Sequence, residues 1–291
     1  MKTKAVFAAL ALLCALPVFA QAPPRLGVSI PNAAPGVETD VANRLGSLIG
    51  GDSRYLLVTD TSYEVRIELA CGQATPGHGT SGIVCGVVFV YAPNKYPGMD
   101  DELRDGVEFG PSAGDIADHI FRSLAEATAP GELKKADDIL AWTYANVAAG
   151  PRIPDSAHAP LKVYVSQADP GVESEARVAL TMRIANDPRY ALVDAGDSDM
   201  GVDLTCVQAT PGHGLAGTAC SLAFNYMPDK YRGLQRPLAV AAVLGPDVPS
   251  MADRLFSQFV EDTAPAQIWL GDEYLTQVYA KIIAEAKRPS K

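Results

Sequence analysis

The sequence predicts an α+β protein made of two tandem copies of a β-α-β-β-β-α-α sandwich domain. Each copy is an antiparallel-rich sheet covered by helices, with a disulfide-stapled hairpin. Three observations carry this. The chain aligns with itself without a gap when Cys71 is laid on Cys206. Strand and helix periods follow one another in the same order in both copies. The cysteines beyond the amino-terminal segment recur as two C-x13-C pairs.

The alignment runs from Leu26 to about Val147. It places Pro35-Gly36-Val37-Glu38 on Pro170-Gly171-Val172-Glu173, Arg54-Tyr55 on Arg189-Tyr190, and Thr128-Ala129-Pro130 on Thr263-Ala264-Pro265. More than half of the positions from Cys71 to Gly98 are identical in the second copy, against about a third on either side. Units of this length are tandem domains, since solenoid repeats are far shorter. The expected division is a signal peptide at 1–22, a first domain at 23–147, a linker at 148–160 rich in Ala and Pro, and a second domain at 161–291.

Within a copy, Leu26 to Ile30 (Leu161 to Val165) reads as the opening strand. Val37, Val41, Leu45 and Leu48 follow at helical spacing, and Gly50-Gly51 offers that helix a stop. Tyr55 to Val58 reads as a second strand. Val65, Ile67, Leu69 and Cys71 alternate with Arg66, Glu68 and Ala70, the period of a half-buried strand. Cys85, Val87, Phe89 and Tyr91 face them across a hairpin. Leu103 to Phe109 is extended again. Ile116, Ile120 and Leu124 share one face of a helix, and Leu140, Tyr144 and Val147 belong to the last one. This order of elements resembles small envelope-assembly domains, such as the amino-terminal domain of the periplasmic protein TolB. The resemblance is one of topology.

Lys2 and Lys4 precede an apolar run from Ala5 to Leu16. Pro17 then breaks it, and small residues sit at Ala20 and Ala22. The run is too short to span a bilayer and reads as a secretory signal that removes Cys14 with it. No later run reaches the roughly 18 apolar residues of a membrane helix. The expected location is periplasmic or secreted. The formal charge is −10, and an acidic chain without a basic run argues against nucleic acid.

Export oxidises cysteines, and the repeat selects Cys71–Cys85 with Cys206–Cys220 among the three possible connectivities. Folding the hairpin about His78 sets its cysteines opposite each other, with Cα atoms about 4.5 Å apart. A bridge of this loop size contributes roughly 3 kcal/mol. The tip, Thr75-Pro76-Gly77-His78-Gly79, recurs as Thr210-Pro211-Gly212-His213-Gly214. Turn chemistry accounts for each of these residues except the histidine. His78 and His213 are therefore binding candidates against a plain reading as solvated turn residues. The bridges disfavour zinc at Cys71, His78 and Cys85.

A second repeated group is Tyr91, Lys95 and Tyr96, matched by Tyr226, Lys230 and Tyr231. Aromatics beside a lysine suit a glycan or peptide, and the competing reading packs them onto their own sheet. Asp194, Asp197, Asp199 and Asp203 lack the spacing of a calcium loop. Trp142 and Trp269 read as packing residues. The common catalytic signatures are missing, so no catalytic residue, metal or cofactor is expected. The functional expectation is a non-catalytic binding or assembly protein of the bacterial envelope, engaging an unidentified envelope protein or a glycan. The alternative is an extracytoplasmic hydrolase or metal-dependent enzyme with its site between the domains.

The leader generates a direct test. Intact mass of the exported protein should correspond to cleavage after Ala20 or Ala22, and a retained Met1 or a lipidated Cys14 would contradict the reading.

Overall fold

A computed structural model describes residues 25–31, 33–60, 62–73, 82–149, 160–208 and 217–287. The expected leader, both hairpin tips with His78 and His213, and most of the expected linker lie outside these residues. The first half runs β1 (Leu26–Ser29), α1 (Val37–Gly51), β2 (Tyr55–Leu57), β3 (Val65–Gln73), β4 (Ile83–Tyr91), β5 (Asp101–Gly110), α2 (Ala113–Ala127) and α3 (Pro130–Ala148). The second half runs β6 (Leu161–Val165), α4 (Val172–Ala185), β7 (Tyr190–Leu192), β8 (Met200–Gln208), β9 (Thr218–Tyr226), β10 (Arg236–Gly245), α5 (Val248–Asp262) and α6 (Pro265–Ala286). The chain is thus mixed α+β, with one disulfide in each half.

Among the described residues each half holds five strands, matching the five read one by one from the sequence for a copy, although the β-α-β-β-β-α-α order names only four. The edge strand β2 or β7 has three residues and pairs in parallel with β1 or β6. The sheets have the orders β2-β1-β3-β4-β5 and β7-β6-β8-β9-β10. Each is parallel around its first strand and antiparallel beyond it.

Residues shared by the two halves pin equivalent joints. Gly36 and Gly171 precede α1 and α4 at φ 106°, a left-handed conformation that favours glycine. Two residues on, the Glu38 carboxylate accepts hydrogen bonds from the Ala34 and Cys71 amides at 2.8 and 2.9 Å. Glu173 does the same for Asp169 and Cys206 at 2.7 and 2.8 Å. A single carboxylate thereby ties each helix start to its disulfide strand. At the opposite end, the Tyr55 and Tyr190 hydroxyls bond Thr128 and Thr263 at 2.8 and 2.7 Å. Pro130 and Pro265 open the last helices, where a missing N–H is no loss. Helix α1 ends at Gly51, within the Gly50-Gly51 stop that the sequence offers. The C-cap Asp52 is extended, and its carboxylate accepts the Arg54 amide at 2.8 Å.

The bridges join residues in direct cross-strand register, with Cα separations of 4.1 and 4.2 Å. Cys85 and Cys220 are fully buried. In β4 and β9, unlike the half-buried strands that face them, all nine residues are buried. One face of each carries Cys85, Val87 and Phe89, or Cys220, Leu222 and Phe224, which join the main core with the helices. The other face packs against the opposite sheet, with α1 and α2 outside one sheet, α4 and α5 outside the other, and α3 touching α6. Strand β4 lies on β9, β5 on β8, and β3 on β10. Val84 and Val107 meet Ala219 and Leu244 there, and Val88 and Val90 meet Ala223.

Small residues set the spacing between the sheets. A Cβ on Gly86 would overlap the Ser221 hydroxyl and stand 3.1 Å from both Ala241 O and Val240 Cγ1. Gly86 and Ser221 are equivalent positions of the two halves. Equivalent positions meet only near the axis of a two-fold arrangement, so the halves are related by an approximate two-fold through this point.

Gly86→Val should therefore cost about 1–3 kcal/mol, as overpacked cores do. Gly86→Ala should be milder, and Ser221→Gly should restore part of its loss. Urea unfolding of the single and double variants measures the coupling.

Candidate functional site

The two repeated tyrosine loops are held inward. Tyr91 and Tyr226 end the doubly buried strands and are themselves buried. Tyr96 stacks at a tilt on Tyr144 of α3, with ring centroids 6.0 Å apart. Tyr231 is fully buried, and its hydroxyl donates to Asp272 Oδ1 at 2.9 Å. It also lies 2.7 Å from the Thr276 Oγ1 of α6. Each lysine lies over its neighbouring tyrosine ring and pairs with an aspartate of the last helix: Lys95 with Asp137 at 2.5 Å, and Lys230 with Asp272. The copies differ in exposure. The Lys95 side chain is 55% exposed and that of Lys230 only 9%. This arrangement latches each loop to its own last helix and leaves Lys95 as the accessible member.

The hairpin histidines lie outside the described residues, as does His158. His119 is described, and its Nδ1 is 3.3 Å from a Glu108 carboxylate oxygen on the outer face of the first half. Asp199 accepts the Lys162 amide at 3.3 Å, and Asp203 points between the sheets, so the aspartates read against a calcium loop serve separate places. Among the described residues, no group of three or more His, Cys, Asp or Glu side chains is arranged to hold a metal ion.

The sheet–sheet contact brings together polar groups that no local pattern signals. On the side where β5 crosses β8, Asp105 accepts from the Thr205 hydroxyl at 3.2 Å. The Asn225 amide donates to Glu102 Oε2 at 3.2 Å and reaches Asp203 at 3.5 Å. Burial pushes the Glu102 carboxyl up to about 8, reinforced by the nearby Asp105 and Asp203 charges. Burial also raises Asp105, with Asp203 adding to it, and raises Asp203 against the hydrogen bonds it accepts from Ser166 and Asn225.

The opposite side, where β3 crosses β10, is chemically different. Arg66 pairs with Glu68 at 2.7 Å and lies 3.6 Å from Asp100. The Arg236 guanidinium lies over the Tyr274 ring, 4.3 Å from its centroid. Burial nevertheless raises Asp100 to about 6, and Asp101 likewise. Both line a cavity of about 200 Å³ between the halves, with Trp142, Thr143, Gly233 and Gln235. That volume lies below the roughly 300–1,000 Å³ of ordinary small-molecule sites. A larger cleft of about 730 Å³ lies on the first half between Arg25, Tyr55, Thr128 and Leu133. Its lining is mainly apolar, and the Tyr55 and Thr128 hydroxyls there already bond each other.

The tryptophans overturn their expected packing role. Trp142 is 65% and Trp269 60% exposed, on α3 and α6. Ile139 precedes Trp142 by three residues on the same helix face, and Leu270 adjoins Trp269, both largely exposed. No family model matches the chain, and no curated protein is significantly similar to it.

Unfolding measurements separate the roles of the loop residues. Tyr231→Ala should cost about 3–5 kcal/mol, the range for a buried aromatic. Lys95→Ala should cost under about 1 kcal/mol, as its ion pair is exposed.

Proposed function

We propose that the chain is an exported, non-catalytic binding or assembly protein of the bacterial envelope, built by duplication of one domain. The observation that carries this reading is the exposure of Trp142 with Ile139 on α3, and of Trp269 with Leu270 on α6. Large side chains of this kind are preferred anchors of protein interfaces, where burying an aromatic ring supplies much of the binding energy. Two disulfides support an oxidising compartment. Among the described residues, no helix is long and apolar enough to cross a membrane. The hairpin tips, with His78 and His213, and the Lys95–Tyr96 loop are the further surfaces assigned to the partner, an envelope protein or a glycan.

The enzyme alternative would place its site in the cavity holding Asp100 and Asp101. That cavity is small, and Asp100 already faces Arg66. Neither feature favours turnover of a substrate over binding at the outer surfaces.

The decisive comparison is capture from envelope extracts by the wild type, by Trp142→Ala/Trp269→Ala and by His78→Ala/His213→Ala. The substitutions at the exposed Trp142 and Trp269 should leave stability within about 0.5 kcal/mol. Capture of a defined partner should fall about tenfold or more in the tryptophan variant. Capture unaltered in both folded variants would remove the basis for the reading.

A further inference from the structure

We propose that the contact between the two sheets is a proton-dependent latch, closed while Glu102, Asp105 and Asp203 keep a proton among them and loosened when all three ionise. The geometry supplies three carboxyl groups from both halves and few donors. The Thr205 hydroxyl serves Asp105, and the Asn225 amide is divided between Glu102 and Asp203. Two ionised carboxylates on one amide, with a third beside them, repel one another at short range in a site poor in water. A proton retained on Glu102 removes one charge and creates a donor for a neighbouring carboxylate.

Among the described residues, the surroundings offer no compensating cation on this side. Strand β4 presents Val88 and Val90, and β9 presents Ala223. Arg104 lies next to Asp105 in sequence and lowers its pKa slightly, but its guanidinium is engaged on the helix side by Glu126 at 2.6 Å. Asp101, the remaining acid at this end of β5, adds negative charge near Glu102. Ser166, beyond β6, contributes a neutral hydroxyl to Asp203. Arg66 and Arg236 belong to the β3–β10 side, where Glu68 and Asp100 face them.

The direction of the effect follows from proton linkage. All three carboxyls have higher pKa values in the closed contact than in water, so the closed form binds more protons. Its stability is complete below about pH 4, the ordinary carboxylate range, and is lost as pH rises to about 8, where Glu102 ionises. Val84, Val107, Ala219 and Leu244 are uncharged and hold the sheets together further along the strands. Loosening is therefore confined to the end where β5 crosses β8.

Amide hydrogen exchange of the full chain at pH 5 and pH 8.5, corrected for intrinsic rates, tests this. Protection in β5 and β8 should fall about tenfold or more at the higher pH, while α1 and α4 keep theirs. The isosteric variant Glu102→Gln/Asp105→Asn/Asp203→Asn should show equal protection at both pH values. Glu102→Gln alone, with fewer changes to accommodate, should show a reduced loss. Wild-type protection independent of pH would overturn the proposal. So would an undiminished loss in the folded triple or single variant.

Discussion

Strands β4 and β9 have no face left for water, and most of the architecture follows from that. A strand buried on both sides needs a covering layer on each. Each half has helices for only one face of its sheet. The second cover is the other half's sheet, laid strand upon strand so that β4 meets β9. The fit requires small side chains at the crossing, which is why Gly86 stands against Ser221 while the valines lie further from the axis. The helices can then remain ordinary amphipathic elements with one apolar stripe, as Ile116, Ile120 and Leu124 of α2 show.

The approximate two-fold also explains why the polar chemistry is lopsided. Corresponding backbone positions are presented on the two sides of the axis, yet they carry different residues. Asp105 corresponds to Val240, Asp203 to Glu68, and Glu102 to Pro237. One side gathers carboxyls around an amide, whereas the other holds arginines with their acids. By contrast, Glu38 and Glu173, or Tyr55 and Tyr190, make the same bonds in both halves. Identity is thus kept where one carboxylate or hydroxyl joins distant segments within a half, and lost at Val84, Gly86, Val88 and Val90, through which β4 meets the other sheet.

Much of the scaffold was legible in the sequence because it rests on short-range patterns. Cysteine spacing and strand period together place Cys71 opposite Cys85, and helical spacing finds Val41, Leu45 and Ile49. The sheet–sheet contact was less accessible. Val84, Val88 and Val90 supply its signal, since together with their odd-numbered neighbours they make β4 apolar on both faces. A continuous apolar run states that a strand is covered twice without naming the cover. The carboxyl group was harder still. Glu102 and Asp203 lie far apart in sequence and join only through Asn225, so no motif contains them. The tryptophans show the reverse difficulty, because a single large apolar residue on a helix gives the same sequence signal whether buried or exposed.

Mutual covering has a consequence for the order in which the chain is made. Residues through Ala148 complete the first helix-covered sheet before β8, β9 and β10 exist. Val84, Val88, Val90 and Val107 then form an apolar floor with nothing above it. At about 5–20 residues per second, the remaining chain up to Gly245 takes roughly 5–20 s to appear. A newly made first half spends that interval as a sticky intermediate. Its Cys71–Cys85 bridge lies within the first half and, once the chain is in an oxidising compartment, holds β3 and β4 in register whether or not the second half has folded. The second half meets no such interval, since its partner surface is already built when it emerges.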